Sequence, residues 1–552
     1  MLRRVWKPVA ATVVLGVPSY YVYRSYSRNP SFELSIRARG PDGKPEMSTR
    51  RIEILPLKTL EDRINQNTSV SSHTSPEGIR WNHTTAFLAS NDPIEDANAT
   101  QIVHRDDSDP SAPGDYLFFT VMDGHSGTHT SQLLSKVLIK AVALELHSLS
   151  NPSSKIDSSS GVLSSAKNLL WSPKRSTPSS FPSTPSHQGP VDADPARVSY
   201  AIAEAFARLD HELTSAPLRI LANNLDEESK KNRIVPDLSQ HPLALTSMLP
   251  AISGSCAIMA MFDTAHRDLY VACTGDSRAV AGVWEPTEDG KGQWRVEVLS
   301  EDQTGRNPNE AQRMRSEHPP EESGDVIRNG RVLGGLEPTR AFGDSRYKWP
   351  RPIQETLNEA FMKGNGRPIR PPPSLFKTPP YVTARPVVTH RKFTFPSPNS
   401  PPTPSSEGSQ KPTRFLVLAT DGLWDELSNT EVVSLVAGHL QGLKGNVPKS
   451  NLPSLVHTTI GEASGIDGKS ASTQEHKERA AKAGNWAFKD ENMSAHLIRN
   501  AFGGGDEIQL RKKLSIPAPY SRQSRDDVTV TVVWWEEGNK ADVNVENVKA
   551  KL

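Results

Sequence analysis

SGSCAIMAMFDTAHRDLYVACTGDSRA, residues 253–279, reads as two apolar strands joined by a polar turn near Ala265–His266. Short apolar runs separated by a few turn residues are hairpin neighbours, and hairpin neighbours pair antiparallel. One of the chain's two cysteines falls in each run, Cys256 and Cys273. With pairing symmetric about the turn they lie on a diagonal of one face, roughly 7–8 Å apart. A disulfide needs its Cβ atoms ~3.5–4.5 Å apart, so both are read as buried thiols.

The same mixture continues on either side. YLFFTVM at 116–122 is a buried strand, and THTSQLLSKVLIKAVALELHSL at 128–149 carries apolar residues at helical spacing, with Leu133, Leu134, Val137, Leu138 and Val142 as a core face. A second helix opens at Asn307, with Pro308 in its first position and Glu310 shortly after. NGRVLGG at 329–335 reads as an Asn-Gly turn entering a strand, and FLVLAT at 415–420 and VTVTVVWW at 528–535 are further strands. Strands in hairpins and helices in clusters predict an α+β fold of antiparallel sheets flanked by helices, against a doubly wound parallel sheet.

The chain has 552 residues, 45 of them proline, and a hydrophobic fraction of 35%. Part of it cannot bury enough apolar surface to offset its ordering entropy. Ser/Pro-rich stretches at about 149–190 and 395–412 read as disordered insertions; a third polar stretch, about 464–492, carries some helical character around Glu475–Ala487. The net charge of +1, from near-equal acids and bases, argues against nucleic acid as a partner. The first 30 residues differ in kind: Arg3, Arg4 and Lys7 precede an apolar run from Val9 to Tyr23, and no acid appears before Glu33. This profile suits a mitochondrial targeting segment. The run is shorter than the ~20 residues of a comfortable span and Pro18 interrupts it, so cleaved presequence, inner-membrane anchor and secretory signal all stay open, the last disfavoured by the lack of disulfide-forming cysteines.

Chemistry enters with five acidic segments, each set against an apolar run: PIEDA at 93–97, VMDGHSG at 121–127, CTGDSRA at 273–279, LATDGLWD at 418–425 and SRDDVTVTV at 524–532. Carboxylates delivered from distant points by buried strands are what hard divalent cations require, since Mg²⁺ and Mn²⁺ favour oxygen ligands in octahedral geometry. Asp123 ends a strand and is followed by Gly124, which permits close backbone approach, and by His125, which trades protons near neutral pH. Asp421-Gly422 repeats the arrangement, with Asp425 four residues on, and Asp526 stands at the mouth of a strand. Asp-Gly alone is more often a plain turn; the repeated context raises its value.

In order and spacing these motifs, with SGSCA at 253–257, GDSRA at 275–279, LGGLEPTRAFGD at 333–344 and DGLWD at 421–425, resemble the metal-dependent protein Ser/Thr phosphatases of type 2C, the PPM family. Within it, NDPIEDA, LSEDQTGRNPNEAQRMRSEHP at 299–319, GDSRYKW at 343–349 and SAHLIRNAFGG at 494–504 are similar to the mitochondrial pyruvate dehydrogenase phosphatase branch. The resemblance implies a four-layer α/β/β/α sandwich over about 45–540, following a targeting segment or anchor at 1–30. It implies two Mg²⁺ or Mn²⁺ ions per site: Asp123 bridges them, Asp421 and Asp526 complete one side, and Glu95 with the Gly124 carbonyl completes the other. Asp276 and Asp425, with Asp421, match a weaker third-metal position. Two cations ~3.5–4 Å apart polarise phosphoryl oxygens and make hydroxide available for in-line attack, and His125 is placed to protonate the departing Ser or Thr alkoxide. A phosphorylated protein is the implied substrate, the pyruvate dehydrogenase alpha subunit the specific expectation, and the mitochondrion, with inner-membrane association, the implied location.

Departures from the family pattern matter as well. The family's phosphate-holding arginine, four residues before the metal-binding glutamate, is Asn91 here, as in the mitochondrial branch, which leaves the phosphate-holding group unassigned. The usual Asp-Asn near the carboxyl terminus is Asp526-Asp527, with the ligand role given to the first and a hydrogen-bonding role to the second. DENMS at 490–494 imitates that motif but precedes a helical sequence. Asp344 and Arg340 read as loop-bracing rather than metal-binding, and Trp534–Trp535 as a strand end with one ring inward. Other classes fail on spacing: residues six after the cysteines are Phe262 and Ala279, not the arginine of a cysteine phosphatase; GDSRA lacks a nucleophile elbow's second glycine; and Ala463 breaks the P-loop pattern in GEASGIDGKS. The rival from another class is an inactive phosphatase fold acting as a binding module, and the complete set Glu95, Asp123, Asp421 and Asp526 argues against it.

Overall fold

The computed structural model describes residues 30–39, 44–75, 78–104, 114–150, 193–285, 287, 292–392, 414–460 and 484–537. Its strands in chain order are β1 (Ser31–Arg39), β2 (Pro45–Glu53), β3 (Thr68–Thr74), β4 (Ile79–Leu88), β5 (Ala97–His104), β6 (Asp115–His125), β7 (Gly254–Asp263), β8 (Asp268–Thr274), β9 (Arg278–Glu285) and β10 (Gln293–Val298). They continue with β11 (Ile327–Arg328), β12 (Arg331–Val332), β13 (Phe342–Gly343), β14 (Val387–Lys392), β15 (Arg414–Ala419), β16 (Gly445–Pro448), β17 (Thr458–Ile460), β18 (Asn485–Phe488) and β19 (Val528–Glu537).

Two sheets dominate. One runs β17-β10-β9-β15-β19-β4-β3, and the other β14-β8-β7-β6-β5 with β13 added beside β7. Every pairing in them is antiparallel except the edge pair β10–β17, a parallel exception to the expected all-antiparallel sheets.

Period-two alternation along β6 explains the layering. Leu117, Phe119 and Val121 pack with Ile258, Ala260 and Phe262 of β7 and with Leu416 and Leu418 of β15, forming the seam between the sheets. Phe118 and Met122 face the other way, onto Leu134 and Leu138 of the helix His129–Ser150 and Phe206 of the helix Pro195–Asn223. On the far side Phe415, Val417 and Ala419 meet Val432 and Val436 of the helix Asn429–Leu440 and Leu497 of the helix Met493–Ala501. Helix, sheet, sheet, helix is the four-layer α+β sandwich expected.

The opening hairpin forms as read. Ile258 faces Cys273 across β7–β8, so Cys256, two residues away, sits on the diagonal, and both cysteines are free and buried. Asn307 caps the helix Pro308–Glu317 by accepting from Asn309 N at 2.9 Å. Asn329 and Gly330, both with positive φ, turn β11 into β12. Trp535 is buried against Trp81, ring centroids 5.2 Å apart, while Trp534 is only half-buried.

The polar stretches at 149–190 and 395–412 fall almost wholly outside the described residues, as does the targeting segment; no helix among the described residues is long and apolar enough to cross a membrane. Of the third stretch, residues 464–483 lie outside the described residues, and with them most of the helical segment expected around Glu475–Ala487; the end of that segment, from Asn485, forms β18 instead. Trp486, Ala487 and Phe488 are buried, and the Asn500 amide clamps Ala487 from both sides, accepting from its N at 2.9 Å and donating to its O at 3.0 Å. Finally, β1 pairs with β2 from Ser31 onward, so a domain start at residue 45 cuts through a hairpin.

Candidate functional site

Four strand ends and one loop converge at the same end of the sandwich. The apolar run of β6 carries Asp123 to the cleft, the β8–β9 turn carries Asp276, β15 leads through Thr420 into the short helix Asp421–Trp424, and Asp526 precedes β19. Carboxylate oxygens of Asp123, Asp276 and Asp421 lie within 4.8 Å of one another. Asp123 and Asp421 are half-buried and Asp276 is buried. Burial and repulsion from Asp421, Asp96 and Asp276 push the Asp123 carboxyl well above the usual carboxylate range. Like charges gathered this closely call for a cation, and an all-oxygen donor set suits a hard one; the residues present fit a divalent ion.

The loop before β5 brings Glu95 alongside. Its carbonyl packs so tightly on Gly124 that a Cβ there would stand 2.0 Å from the Glu95 oxygen, so only glycine fits. Ser131 Oγ donates to the same carbonyl at 2.5 Å, and Gly127 N donates to Glu95 Oε1 at 2.6 Å. Asp527 fixes this loop, accepting from Ser90 N at 2.6 Å, Asn91 N at 2.8 Å, Asn91 Nδ2 at 2.9 Å and Glu95 N at 2.9 Å. It is thus the hydrogen-bond acceptor anticipated. Glu95, Asp526 and Asp425 stand outside the three-carboxylate group: Glu95 accepts from Gly127 N and from Asn91 Nδ2, Asp526 pairs with Arg522, and Asp425 is exposed beyond the helix that Asp421 begins.

His125 pairs with Asp344 across 2.6 Å, Nε2 to Oδ2. The pair crosses β7 at Gly254, where a Cβ would lie 2.1 Å from Nε2 and 2.4 Å from the carboxylate oxygen. Burial works to lower the imidazole's pKa, yet the neighbouring Asp344 carboxylate prevails and raises it. Asp344 therefore braces, as expected, but what it braces is His125. Arg340 is structural: its fork donates to Glu310 at 2.7 and 3.0 Å. Against the upward push of burial, Arg340 and Arg313 hold the Glu310 carboxyl down at about 2.

Two neighbours of the site escaped the sequence reading. Asp96 is buried behind Asp421, its Oδ2 accepting from Thr420 Oγ1 at 3.0 Å and Thr529 Oγ1 at 2.9 Å. Burial and repulsion from Asp527 raise its pKa well above the ordinary value. The Cys256 thiol donates to Asp276 Oδ1 at 3.2 Å, and burial with the nearby Asp276 and Asp123 charges pushes that thiol far up, keeping it protonated.

The protein phosphatase 2C family model matches residues 203–447. A protein phosphatase 2C homolog of Schizosaccharomyces pombe is 34% identical over 457 residues, spanning 82% of this chain and 79% of the relative. The mitochondrial pyruvate dehydrogenase (acetyl-transferring) phosphatase 1 of Saccharomyces cerevisiae is 30% identical over 549 residues, 96% of this chain and 82% of the relative. Its namesake in Bos taurus is 34% identical over 344 residues, 61% of this chain and 54% of the relative.

Proposed function

Because the chain belongs to the protein phosphatase 2C family and is a protein Ser/Thr phosphatase, we propose that it hydrolyses phosphoserine and phosphothreonine esters with divalent cations held by Asp123, Asp421, Asp276 and Glu95. The observation that carries this reading is the convergence of the Asp123, Asp276 and Asp421 carboxylates within 4.8 Å. Mg²⁺ or Mn²⁺, when bound, supplies Lewis acidity toward a phosphoryl oxygen and acidifies water. Asp526 and the Gly124 carbonyl belong to the same proposed ligand set on the resemblance, and Asp425, with Asp276 and Asp421, to a weaker third position.

The chain's own residues do the remainder. Glu95 is held in place by Asp527 and Gly127, and its charge acts on the His125 imidazole. Asp344 accepts the Nε2 proton of His125, which leaves Nδ1 as the nitrogen from which a proton passes to the departing alkoxide. A serine or threonine alkoxide is a poor leaving group, so a positioned acid matters for it.

For substrate and location, we infer a mitochondrial enzyme acting on the phosphorylated pyruvate dehydrogenase alpha subunit. Support comes from the activity for which the yeast and bovine relatives are named and from the basic, acid-free start of the sequence. Inner-membrane association rests on the run Val9–Tyr23 alone. The test incubates purified protein and Mn²⁺ with phosphorylated pyruvate dehydrogenase complex and, separately, with a generic phosphothreonine peptide. The expected result is faster dephosphorylation of the complex. A complex that stays phosphorylated while the peptide is hydrolysed removes this substrate and keeps the phosphatase.

A further inference from the structure

We propose that Arg522 grips the phosphoryl group of the substrate; this rests on the phosphatase reading above and supplies the phosphate-holding side chain which that reading leaves unassigned. A phosphate monoester carries close to two negative charges near neutral pH, and the cleft it must enter is lined with carboxylates. A cavity of about 540 Å³ opens beside Glu95, walled by Asn91, Gly127, His129, Pro519 and Arg522 among others. Of its lining residues, Arg522 contributes the guanidinium, and the other group able to carry positive charge is the His129 imidazole.

The Asn91 amide donates to Asp527 Oδ2 at 2.9 Å and to Glu95 Oε2 at 3.3 Å, so it orders the Glu95 loop. Arg525 donates from Nη2 to the Ala89 carbonyl at 3.1 Å and buries Nε and Nη1 without partners, and it does not line the cavity.

Arg522 is built to exchange partners. It sits in the single turn Tyr520–Gln523 and pairs with Asp526, four residues on, while its side chain keeps 41% of its surface exposed. An ion pair that open contributes little stability, so leaving it costs little. A carboxylate engaged by a divalent cation offers less charge to the guanidinium, and the planar fork then matches two phosphoryl oxygens at once.

The experiment uses the full chain and three proteins: wild type, Arg522→Gln and Arg522→Lys. It measures KM and kcat on a phosphothreonine peptide, the dissociation constant of inorganic phosphate by calorimetry in Mg²⁺, and Mn²⁺ affinity without substrate. In Arg522→Gln, KM and the phosphate dissociation constant should both rise about 10- to 100-fold, with Mn²⁺ affinity unchanged or tighter. The lysine variant should fall between, since a point charge replaces the fork. Phosphate affinity within twofold of wild type in Arg522→Gln overturns the proposal, as does a loss confined to Mn²⁺ affinity, which would mark Arg522 as a brace for Asp526. Wild-type protein that releases no phosphate sinks the phosphatase reading itself; normal wild-type turnover with unaltered phosphate binding in the variant sinks this inference alone.

Discussion

Asp123→Asn should lower turnover of a phosphothreonine peptide by roughly 10³-fold or more while the protein stays folded. The effect is electrostatic. Asp123 shares its site with Asp276 and Asp421, all three offering oxygens within 4.8 Å, and a neutral amide in its place weakens the hold on a cation at the centre of the group. Losing about 4 kcal/mol of transition-state stabilisation corresponds to that factor, at 1.36 kcal/mol per decade. Stability should move the opposite way. Since Asp421, Asp96 and Asp276 all repel the Asp123 charge, removing it relieves strain in the cation-free protein, and the melting temperature measured with chelator present should hold or rise. A variant keeping more than a tenth of wild-type kcat would sink the assignment.

His125→Gln should discriminate between leaving groups. On a phosphothreonine peptide the rate should fall about 10²- to 10⁴-fold, the range that a positioned general acid supplies. On an activated aryl phosphate, whose phenolate departs without a proton, the loss should stay under about tenfold by the same reasoning. The pairing of Nε2 with Asp344 at 2.6 Å is what orients the ring for this work. Equal losses on both substrates would assign His125 to positioning instead of proton transfer.

How far the sequence reveals these groups depends on how local their signals are. β6 and β15 are legible because each is an unbroken apolar run ending in Asp-Gly, and the runs deliver Asp123 and Asp421 to the same end of the sandwich. The His125–Asp344 pair joins residues 219 apart, and nothing near either position tells which partner the other finds. Asp96 hides behind its neighbour: in PIEDA the adjacent Glu95 takes the ligand reading, and only the fold brings Thr420 and Thr529 to the Asp96 carboxylate. β18 was obscured by composition. Trp486 and Phe488 sit at the end of a polar stretch, and the apolar residues they pack with, Leu497 and Ile498 among them, come from a later helix. Arg522 gives no sequence signal at all, being one arginine among several before β19, and acquires meaning only from the cavity it lines.

Release of inorganic phosphate from a phosphothreonine peptide by the purified chain, before chelation, after EDTA and after re-addition of Mg²⁺ or Mn²⁺, bears most directly on the reading of this carboxylate cluster. Turnover should vanish on chelation and return with the added cation, and Asp123→Asn should show no such return. Hydrolysis that continues undiminished in EDTA, or a wild-type chain that stays inert in saturating Mn²⁺, would contradict it.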